Sequence, residues 1–183
     1  FNGSGKTTLM NILSTLTKPD LGRVKICGHN PDQAGIAVRN SIGVVTHNTL
    51  FYDHLTAREN MSFFARLYGL EKIENKIEVV AEIMGVEALL DRRIRTLSNG
   101  LRRRFNIARA LLHDPAVLLL DEPESGLDQE AIALLDQVVA SYTKPCRALV
   151  MTSPNLNRPM GLGSHVAILR KGRIVYHERR ADV

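Results

Sequence analysis

Residues 1–8 read Phe1-Asn2-Gly3-Ser4-Gly5-Lys6-Thr7-Thr8, and this stretch decides the expected fold. From Asn2 onward it matches all but the opening glycine of the phosphate-binding loop G-x-x-x-x-G-K-[ST], a glycine that would stand one position before Phe1. The two glycines let backbone N–H groups converge on phosphate oxygens, and the N-terminus of a following helix adds partial positive charge. Apolar residues at helical spacing predict that helix: Leu9, Ile12, Leu13 and Leu16. The alternative interpretation is a glycine-rich turn before an ordinary amphipathic helix.

If the loop binds a nucleotide, its side chains have separate tasks. Lys6 would reach the β- and γ-phosphates, and Thr7 would place its hydroxyl on Mg²⁺. The expected nucleotide-binding residues form one run: Asn2, Gly3, Ser4, Gly5, Lys6, Thr7 and Thr8.

The composition bounds the architecture. With 183 residues, 44% of them hydrophobic, the chain can bury one substantial core, or a core and a small subdomain. A phosphate loop of this kind follows a buried strand, so we interpret the chain as a fragment that lacks at least one N-terminal strand. No run approaches the roughly 18 apolar residues of a membrane-spanning helix. Cys27 and Cys146 have no metal or redox spacing, which favours a reducing compartment and structural positions.

The charge is basic and clustered. A net charge of +5 and a pI near 9.5 permit nucleic acid or an anionic membrane as a partner. One cluster contains six arginines: Arg92, Arg93, Arg95, Arg102, Arg103 and Arg104. Because no aromatic residues interleave it, a surface that stacks on bases is poorly supported and a solvated basic face is expected.

Hydrophobic periodicity predicts alternating strands and helices. The predicted strands are a half-buried one around Val24 and Ile26, buried ones at 42–46, 116–120 and 148–152, and a hairpin over 166–176 that turns at Lys171-Gly172. The predicted helices follow the phosphate loop, begin at the capping box Thr56-Ala-Arg-Glu59, and cover about 72–84, 86–90, 98–113 and the segment after Asp128.

Two carboxylates, Asp121 and Glu122, follow the apolar run at 116–120. The carboxyl ends of buried strands are where an open α/β sheet places its ligand chemistry. We therefore expect Asp121 and Glu122 to lie close to the phosphate loop. Taken singly, Asp121 could instead be a turn or capping carboxylate.

Four motifs now stand in a fixed order: the phosphate loop, a helical insert, Leu97-Ser-Asn-Gly-Leu101, and Leu118-Leu-Leu-Asp-Glu-Pro-x-Ser-Gly-Leu-Asp128. Together they resemble the nucleotide-binding domain of ATP-binding cassette (ABC) proteins over the whole chain. The resemblance implies an α/β fold of the P-loop NTPase class, with an ABC-type ATPase core sheet and an inserted helical subdomain. The implied divisions are 1–52 for the first part of the core, 53–100 for the helical signature subdomain and 101–183 for the rest of the core.

The resemblance also implies roles for individual residues. Asp121 would hold Mg²⁺ together with Thr7, and Glu122 would act as general base on the attacking water. His47 stands where the family has a glutamine that contacts Mg²⁺ and signals to the membrane partner, and Asp128 belongs to the loop that couples the two sites. The signature segment would bind the ATP of a partner subunit: Ser98, Asn99, Gly100 and Leu101. Ser98 alone could be an ordinary helix N-cap.

The sequence departs from the family pattern at several of these positions. His47 replaces the glutamine, Asn99 a glycine and Leu101 the common signature glutamine. Pro154 aligns with the histidine that contacts the γ-phosphate, and proline has no side-chain donor. His165 lies eleven residues further on, in an expected surface turn, and is not assigned that role. These departures predict slow hydrolysis with binding intact.

Residues 44–60 and 64–69, together with the compact length of the chain, look most like export-type subunits, and the haem exporter of cytochrome c maturation is the nearest pattern. The resemblance implies ATP and Mg²⁺ as ligands, a homodimer or heterodimer of nucleotide-binding domains, and a membrane-embedded permease reached from the cytoplasmic face. Four aromatic residues could contact that permease or only pack the insert: Phe51, Tyr52, Phe63 and Phe64. Nucleic acid is not expected as a partner. Two alternatives stay open, a hydrolysis-impaired regulatory cassette and a soluble ABC protein that acts on ribosomes or DNA.

Overall fold

The structure is a computed structural model that describes residues 3–142, 144–155 and 163–179. Its helices are α1 (Lys6–Leu13), α2 (Gly35–Ser41), α3 (Ala57–Leu67), α4 (Ile73–Ile83), α5 (Asn99–Leu111) and α6 (Gln129–Ser141). Its strands are β1 (Ile42–Val45), β2 (Val117–Asp121), β3 (Ala148–Thr152), β4 (His165–Arg170) and β5 (Arg173–Arg179). The predicted strands at 42–46, 116–120 and 148–152 are therefore confirmed within one or two residues.

The centre is a parallel sheet in the order β1-β2-β3. Val45 pairs with Leu120, and Asp121 pairs with Thr152. Because all three strands run in the same direction, their carboxyl ends meet at one edge. The segments that follow the strands, with His47, Glu122 and Pro154, therefore begin at the same edge of the sheet.

Helices cover both faces of this sheet, as β2 shows. Leu118 and Leu120 point into a large core shared with α3, α4, α5 and α6, whereas Leu119 joins Met10 of α1 and Val38 of α2 on the other face. Successive strand side chains point to opposite faces, so a strand that is buried on both faces needs a continuous apolar run. The α/β architecture predicted from the sequence is confirmed.

The long helix α5 lies directly on β1. A Cβ atom at Gly43 would stand 2.3 Å from the carbonyl oxygen of Ala110, far inside van der Waals contact. Glycine at this position lets the helix backbone approach the strand backbone closely. This approach brings the polar side chains of α5 within reach of the strand carbonyls.

The helical segment begins with the predicted capping box. The Thr56 hydroxyl accepts a hydrogen bond from the Glu59 N–H, and the Glu59 carboxylate accepts one from the Thr56 N–H. The helix expected at 86–90 is a single 3₁₀ turn, Glu87–Leu89. Met61 and Ile77 of this segment are fully buried in the same core as Val45 of the sheet. The division of the chain at residues 53 and 100 stays a prediction.

Three expectations for the remaining segments were wrong or incomplete. Val24 and Ile26 do not form a strand, because no described strand lies beside them to pair with, and only Ile26 and His29 form an isolated bridge. The short helix α2 was not predicted, since its seven residues carry no side-chain cap. The two cysteines are exposed and not structural core residues.

The predicted hairpin is present and touches the phosphate loop. β4 and β5 pair in antiparallel fashion around Lys171 and Gly172, and the N–H of Gly172 donates to the carbonyl oxygen of Ser4 at 3.0 Å. The hairpin thus supports the loop from the side. Within the described ranges, every helix is too short or too polar to cross a bilayer.

Candidate nucleotide-binding and hydrolysis site

The phosphate loop turns sharply into α1. Gly5 precedes the helix with φ 99°, a left-handed conformation that favours glycine, and α1 begins at Lys6. A Cβ atom on Gly5 would also stand 3.4 Å from Leu169 and 3.5 Å from Gly172 of the hairpin. The tight loop is therefore followed directly by the N-terminal N–H groups of α1, which are the groups that bind phosphate at a helix N-terminus. Asn2 lies outside the described residues.

The loop carries polar groups that suit a phosphate. Ser4 is buried, and its hydroxyl has no hydrogen-bond partner among the described residues. Lys6 lies 3.4 Å from the Glu122 carboxylate, with the side chains 16% and 29% exposed. A partly exposed ammonium beside an orphaned hydroxyl and a helix N-terminus fits the oxygens of a nucleotide triphosphate. Thr8 is exposed on the first turn of α1.

Thr7 and Asp121 meet as the sequence predicts. The Thr7 hydroxyl donates to one Asp121 carboxylate oxygen at 3.1 Å, and the Thr152 hydroxyl donates to the other at 2.5 Å. Asp121 is buried and caps no helix. Hydroxyl and carboxylate oxygens are ligands that Mg²⁺ prefers, and Mg²⁺ usually takes one or two protein carboxylates while phosphates and water supply the rest. The donor set at Thr7 and Asp121 therefore fits Mg²⁺.

Glu122 follows β2 in an unusual backbone conformation. Its φ is 46°, in the left-handed region, which costs a residue with a side chain roughly 1–3 kcal/mol. The Glu122 N–H donates to the carbonyl and the hydroxyl of Thr152 at 3.2 and 3.1 Å. On the other side, the Glu122 carbonyl accepts a hydrogen bond from Arg103 at 2.6 Å. Strain held by specific contacts is common at functional sites.

Arg103 and Arg104 correct the expectation of a solvated basic face. Both are 6% exposed, whereas Arg92, Arg93 and Arg95 are exposed as predicted. Burial is the largest influence on Arg103 and lowers the pKa of its guanidinium, while three nearby carboxylates act in the opposite direction: Asp121, Glu124 and Glu122. The physical reason is helix geometry, because α5 turns these positions inward.

Sequence reasoning missed Arg103 as a site residue. Arg103, Asn106 and Arg109 recur every third position of α5, and all three side chains donate to backbone carbonyls in or directly after the strands. This spacing of polar residues on a helix next to a buried strand is the signal that could have identified them.

The remaining hydrolytic positions form no hydrogen bond with Glu122 in the described part of the chain. His47 is exposed two residues after β1 and forms no hydrogen bond or ion pair with any described residue. Pro154 is exposed two residues after β3. His165 is the first residue of β4, not part of a turn, and lies at the end of the hairpin away from Gly172. The described structure therefore offers no imidazole in the place of Pro154.

The signature residues lie at the N-terminus of α5. The Ser98 side chain caps this helix by accepting from the Leu101 N–H at 3.3 Å, and Asn99 and Gly100 begin its first turn. Asp128 likewise caps α6, by accepting from the Ala131 N–H at 2.8 Å. The capping interpretation is thus confirmed for Ser98. Capping does not conflict with binding, since the helix N-terminus remains exposed.

An ion pair links the signature helix to the loop of Asp128. Arg104 contacts the Asp128 carboxylate at 2.8 Å and the Glu130 carboxylate at 3.4 Å. The pKa of Asp128 lies below its ordinary value, first because the Ala131 N–H bonds to the carboxylate and then because Arg104 does. Asp128 is therefore held as an anion beside α5.

Comparison with known proteins identifies the family. The model of the family described as "ABC transporter" matches residues 1–125. The chain is 32% identical over 178 residues to the ABC transporter ATP-binding protein NatA of Bacillus subtilis, which covers 96% of this chain and 72% of NatA. It is 32% identical over 174 residues to the Nod factor export ATP-binding protein I of Cupriavidus metallidurans, with 94% of this chain and 57% of that protein covered.

A solved structure agrees in fold. The chain superposes on a dimeric ATP-binding cassette, described as a post-hydrolysis state bound to ADP and Pi, with a TM-score of 0.89 and 25% identity over 100% of this chain and 84% of that one. The phosphate loop, the Asp121-Glu122 pair and the capped signature helix thus lie in a fold that this chain shares with that ATP-binding cassette. The chain belongs to the ABC transporter family, in which it is an ATP-binding and ATP-hydrolysing subunit of P-loop NTPase fold.

Proposed function

We propose that this chain powers an ABC exporter by binding Mg-ATP between two nucleotide-binding domains and hydrolysing it. The observation that carries the proposal is the meeting of Lys6, Thr7, Asp121 and Glu122 at the carboxyl edge of the sheet. This arrangement of an ammonium, a hydroxyl and two carboxylates suits phosphoryl transfer to water. The stability of the sheet edge does not require these groups.

Each side chain has a task in this reaction. Lys6 neutralises charge on the β- and γ-phosphates, and the N-terminus of α1 adds its N–H groups. Bound Mg²⁺, held by Thr7 and Asp121, would supply charge neutralisation at the phosphates. Glu122 accepts a proton from the attacking water. The 3.4 Å contact between Lys6 and Glu122 keeps the base within reach of the phosphate site.

The second ATP contact comes from a partner copy in this proposal. The N-terminus of α5 is exposed at Ser98 and Asn99, and a helix N-terminus attracts phosphate. Asn99, Gly100 and Leu101 would present this end to the γ-phosphate of the partner. The solved relative is described as dimeric, which supports the arrangement. Residues 53–100 would then move as the signature subdomain, and Asp128 would relate the two sites.

A membrane-embedded permease is the proposed second partner. Tyr52 and Phe63 are 54% and 39% exposed, and their rings meet edge to face at 5.5 Å. Phe51 and Phe64 instead pack against the core. Exposed aromatic rings anchored on a packed base suit the centre of an interface. We propose that Tyr52 and Phe63 contact the permease at the cytoplasmic face of the membrane.

The direction of transport and the cargo are finer parts of the proposal. A relative is named for Nod factor export, which supports export by this chain. The resemblance to the haem exporter rests on residues 44–60 and 64–69 and on the compact length of the chain, and it stays a prediction. Cargo is selected by the membrane partner and not by the ATPase fold.

A specific observation favours a second candidate, a regulatory cassette that binds ATP and turns it over slowly. Pro154 offers no side-chain donor, and the exposed His47 forms no hydrogen bond or ion pair with a described residue. The nucleic-acid alternative loses support, because two arginines of the basic cluster, Arg103 and Arg104, are buried and bonded within the chain.

The test is ATP turnover by the full-length protein purified with its membrane partner. We expect Mg²⁺-dependent turnover that Asp121→Asn lowers by roughly 10²-fold or more, because metal charge stabilisation amounts to several kcal/mol. Asp32→Asn is the matched control, since Asp32 is exposed and paired only with Lys18 in the described contacts. ATP binding without turnover in the parent favours the regulatory cassette. Failure to bind Mg-ATP contradicts both candidates.

A further inference from the structure

Arg103 joins the ends of the two strands that precede the hydrolytic residues. Its Nη1 donates to the carbonyl of Thr46, directly before His47, at 2.7 Å. Its Nη2 donates to the carbonyls of Asp121 and Glu122 at 2.9 and 2.6 Å. Its Nε donates to the carbonyl of Pro123 at 3.4 Å. One buried guanidinium therefore donates hydrogen bonds to four backbone carbonyls on two chain segments.

The contacts of Arg103 and Thr152 together hold the main chain of Glu122 from both sides. Thr152 holds the N–H side of the residue, and Arg103 holds its carbonyl side. A backbone with φ 46° at a residue with a Cβ atom persists only when its surroundings hold it. This backbone sets the direction of the Cα–Cβ bond of Glu122, so the two contacts together set where the side chain of the base starts.

Arg109 shows that a purely structural arginine has different contacts. It lies six residues further along α5, is equally buried, and donates to Val44 within β1 and to Asn106 of its own helix. None of its described hydrogen bonds reaches residues 121–123. Arg103 differs because all its acceptors lie where the strands end and the site begins.

We propose that Arg103 is a positioning residue for ATP hydrolysis, which holds the Glu122 main chain and the end of β1 in one fixed arrangement. The proposal rests on the proposed function, in which Glu122 is the general base. A planar guanidinium presents donors in several directions at once, whereas a lysine ammonium on a flexible chain cannot span both strands in the same way. Arg103 acts through Glu122 and touches neither ATP nor the attacking water.

The test compares Arg103→Met, Arg103→Lys and the control Arg102→Met in the full-length protein. Arg102 is the neighbouring arginine of α5, and its described contacts are with Leu97 and Asp53 and not with the strand ends. We expect Arg103→Met to lower kcat by roughly 10²-fold, the effect of a small misplacement of a reacting group, while ATP affinity stays near that of the parent. Arg103→Lys should keep an intermediate kcat, and Arg102→Met should keep the parental kcat.

A double variant separates positioning from general stabilisation. In the Glu122→Gln background, Arg103→Met should change the residual single-turnover rate by less than about twofold, because residues that act as a unit have non-additive effects. An additive loss of rate in the double variant overturns the proposal, and so does a parental kcat in Arg103→Lys. If the methionine variant does not fold, the kcat of Arg103→Lys alone decides. If Glu122→Gln itself keeps the parental rate, the proposed role of Glu122 fails instead.

Discussion

The phosphate-binding half of the site and its hydrolytic half are built differently. In the binding half, Lys6 and Thr7 are the first two residues of α1, and the Thr7 hydroxyl donates directly to the Asp121 carboxylate. In the hydrolytic half, residues that follow three different strands contribute: His47, Glu122 and Pro154. Of these, Glu122 forms an ion pair with Lys6 of the binding half. His47 is exposed and Pro154 carries no donor.

This difference teaches that binding and turnover can change independently in this protein. The binding half depends on local sequence, because a loop and the helix after it hold most of its groups. The hydrolytic half depends on how three strand ends are held relative to each other. Glu122→Gln, Lys6→Ala and Pro154→His each change one half and leave the other intact, whereas Phe63→Gln leaves both halves intact and changes the contact with the membrane partner.

The largest effect is expected for Glu122→Gln. The amide keeps the shape of the side chain and cannot accept the proton from water, so kcat should fall by roughly 10²- to 10⁴-fold. ATP affinity should be retained, and ATP-bound dimers should accumulate. Steady-state turnover and size-exclusion chromatography with ATP are the measurements, and Glu78→Gln, at an exposed carboxylate of α4, is the control. Parental turnover in Glu122→Gln would remove Glu122 from the role of base.

Lys6→Ala should weaken ATP binding at the phosphate-binding half of the site. Loss of a charge-assisted contact to phosphate costs about 1.5–3 kcal/mol, which corresponds to roughly 10- to 150-fold weaker ATP binding. Calorimetry on the full-length protein measures this affinity. Lys18→Ala removes the same charge from a side chain that is 85% exposed and should leave the affinity unchanged. An equal affinity for Lys6→Ala and the parent would be incompatible with the phosphate-loop assignment.

Pro154→His should sharpen the comparison by adding a donor to the hydrolytic half. We expect turnover to rise by roughly tenfold, below the full contribution of a positioned proton-transfer group because Glu122 already acts as base. ATP affinity should change little. Asn155→His, which adds the imidazole one position later, is the control for a nonspecific effect. Robust parental hydrolysis that is lost in His165→Ala would show that Pro154 is aligned wrongly.

The smallest effect on the ATP site is expected for Phe63→Gln. Phe63 is partly exposed on α3, and its polar replacement should release the membrane partner while ATP affinity and turnover of the isolated subunit stay parental. Co-purification with detergent-solubilised partner is the measurement. Ile36→Gln, at a residue that is 73% exposed on α2, is the control. Full retention of the partner in Phe63→Gln and in Tyr52→Gln would assign the permease contact to other residues.

The fold and the binding half were largely predictable because their signals are local. A glycine-lysine-threonine loop, a capping box at Thr56 and a continuous apolar run before Asp121 each report on the conformation of their own segment. The false strand around Val24 shows the limit of the same logic. Alternation describes a residue pattern, whereas a strand also needs a neighbour to pair with.

By itself, the amino-acid sequence determined the α/β class, the phosphate loop, the acidic strand end and the family resemblance, since each follows from residue types at short spacing. Only the tertiary structure decided which arginines of one basic cluster stay in solvent and which are buried. Arg95 and Arg103 look alike in the sequence, yet α5 turns Arg103 onto the carbonyl ends of β1 and β2. The physical reason is that the backbone acceptors at the ends of two parallel strands come together only when distant segments pair.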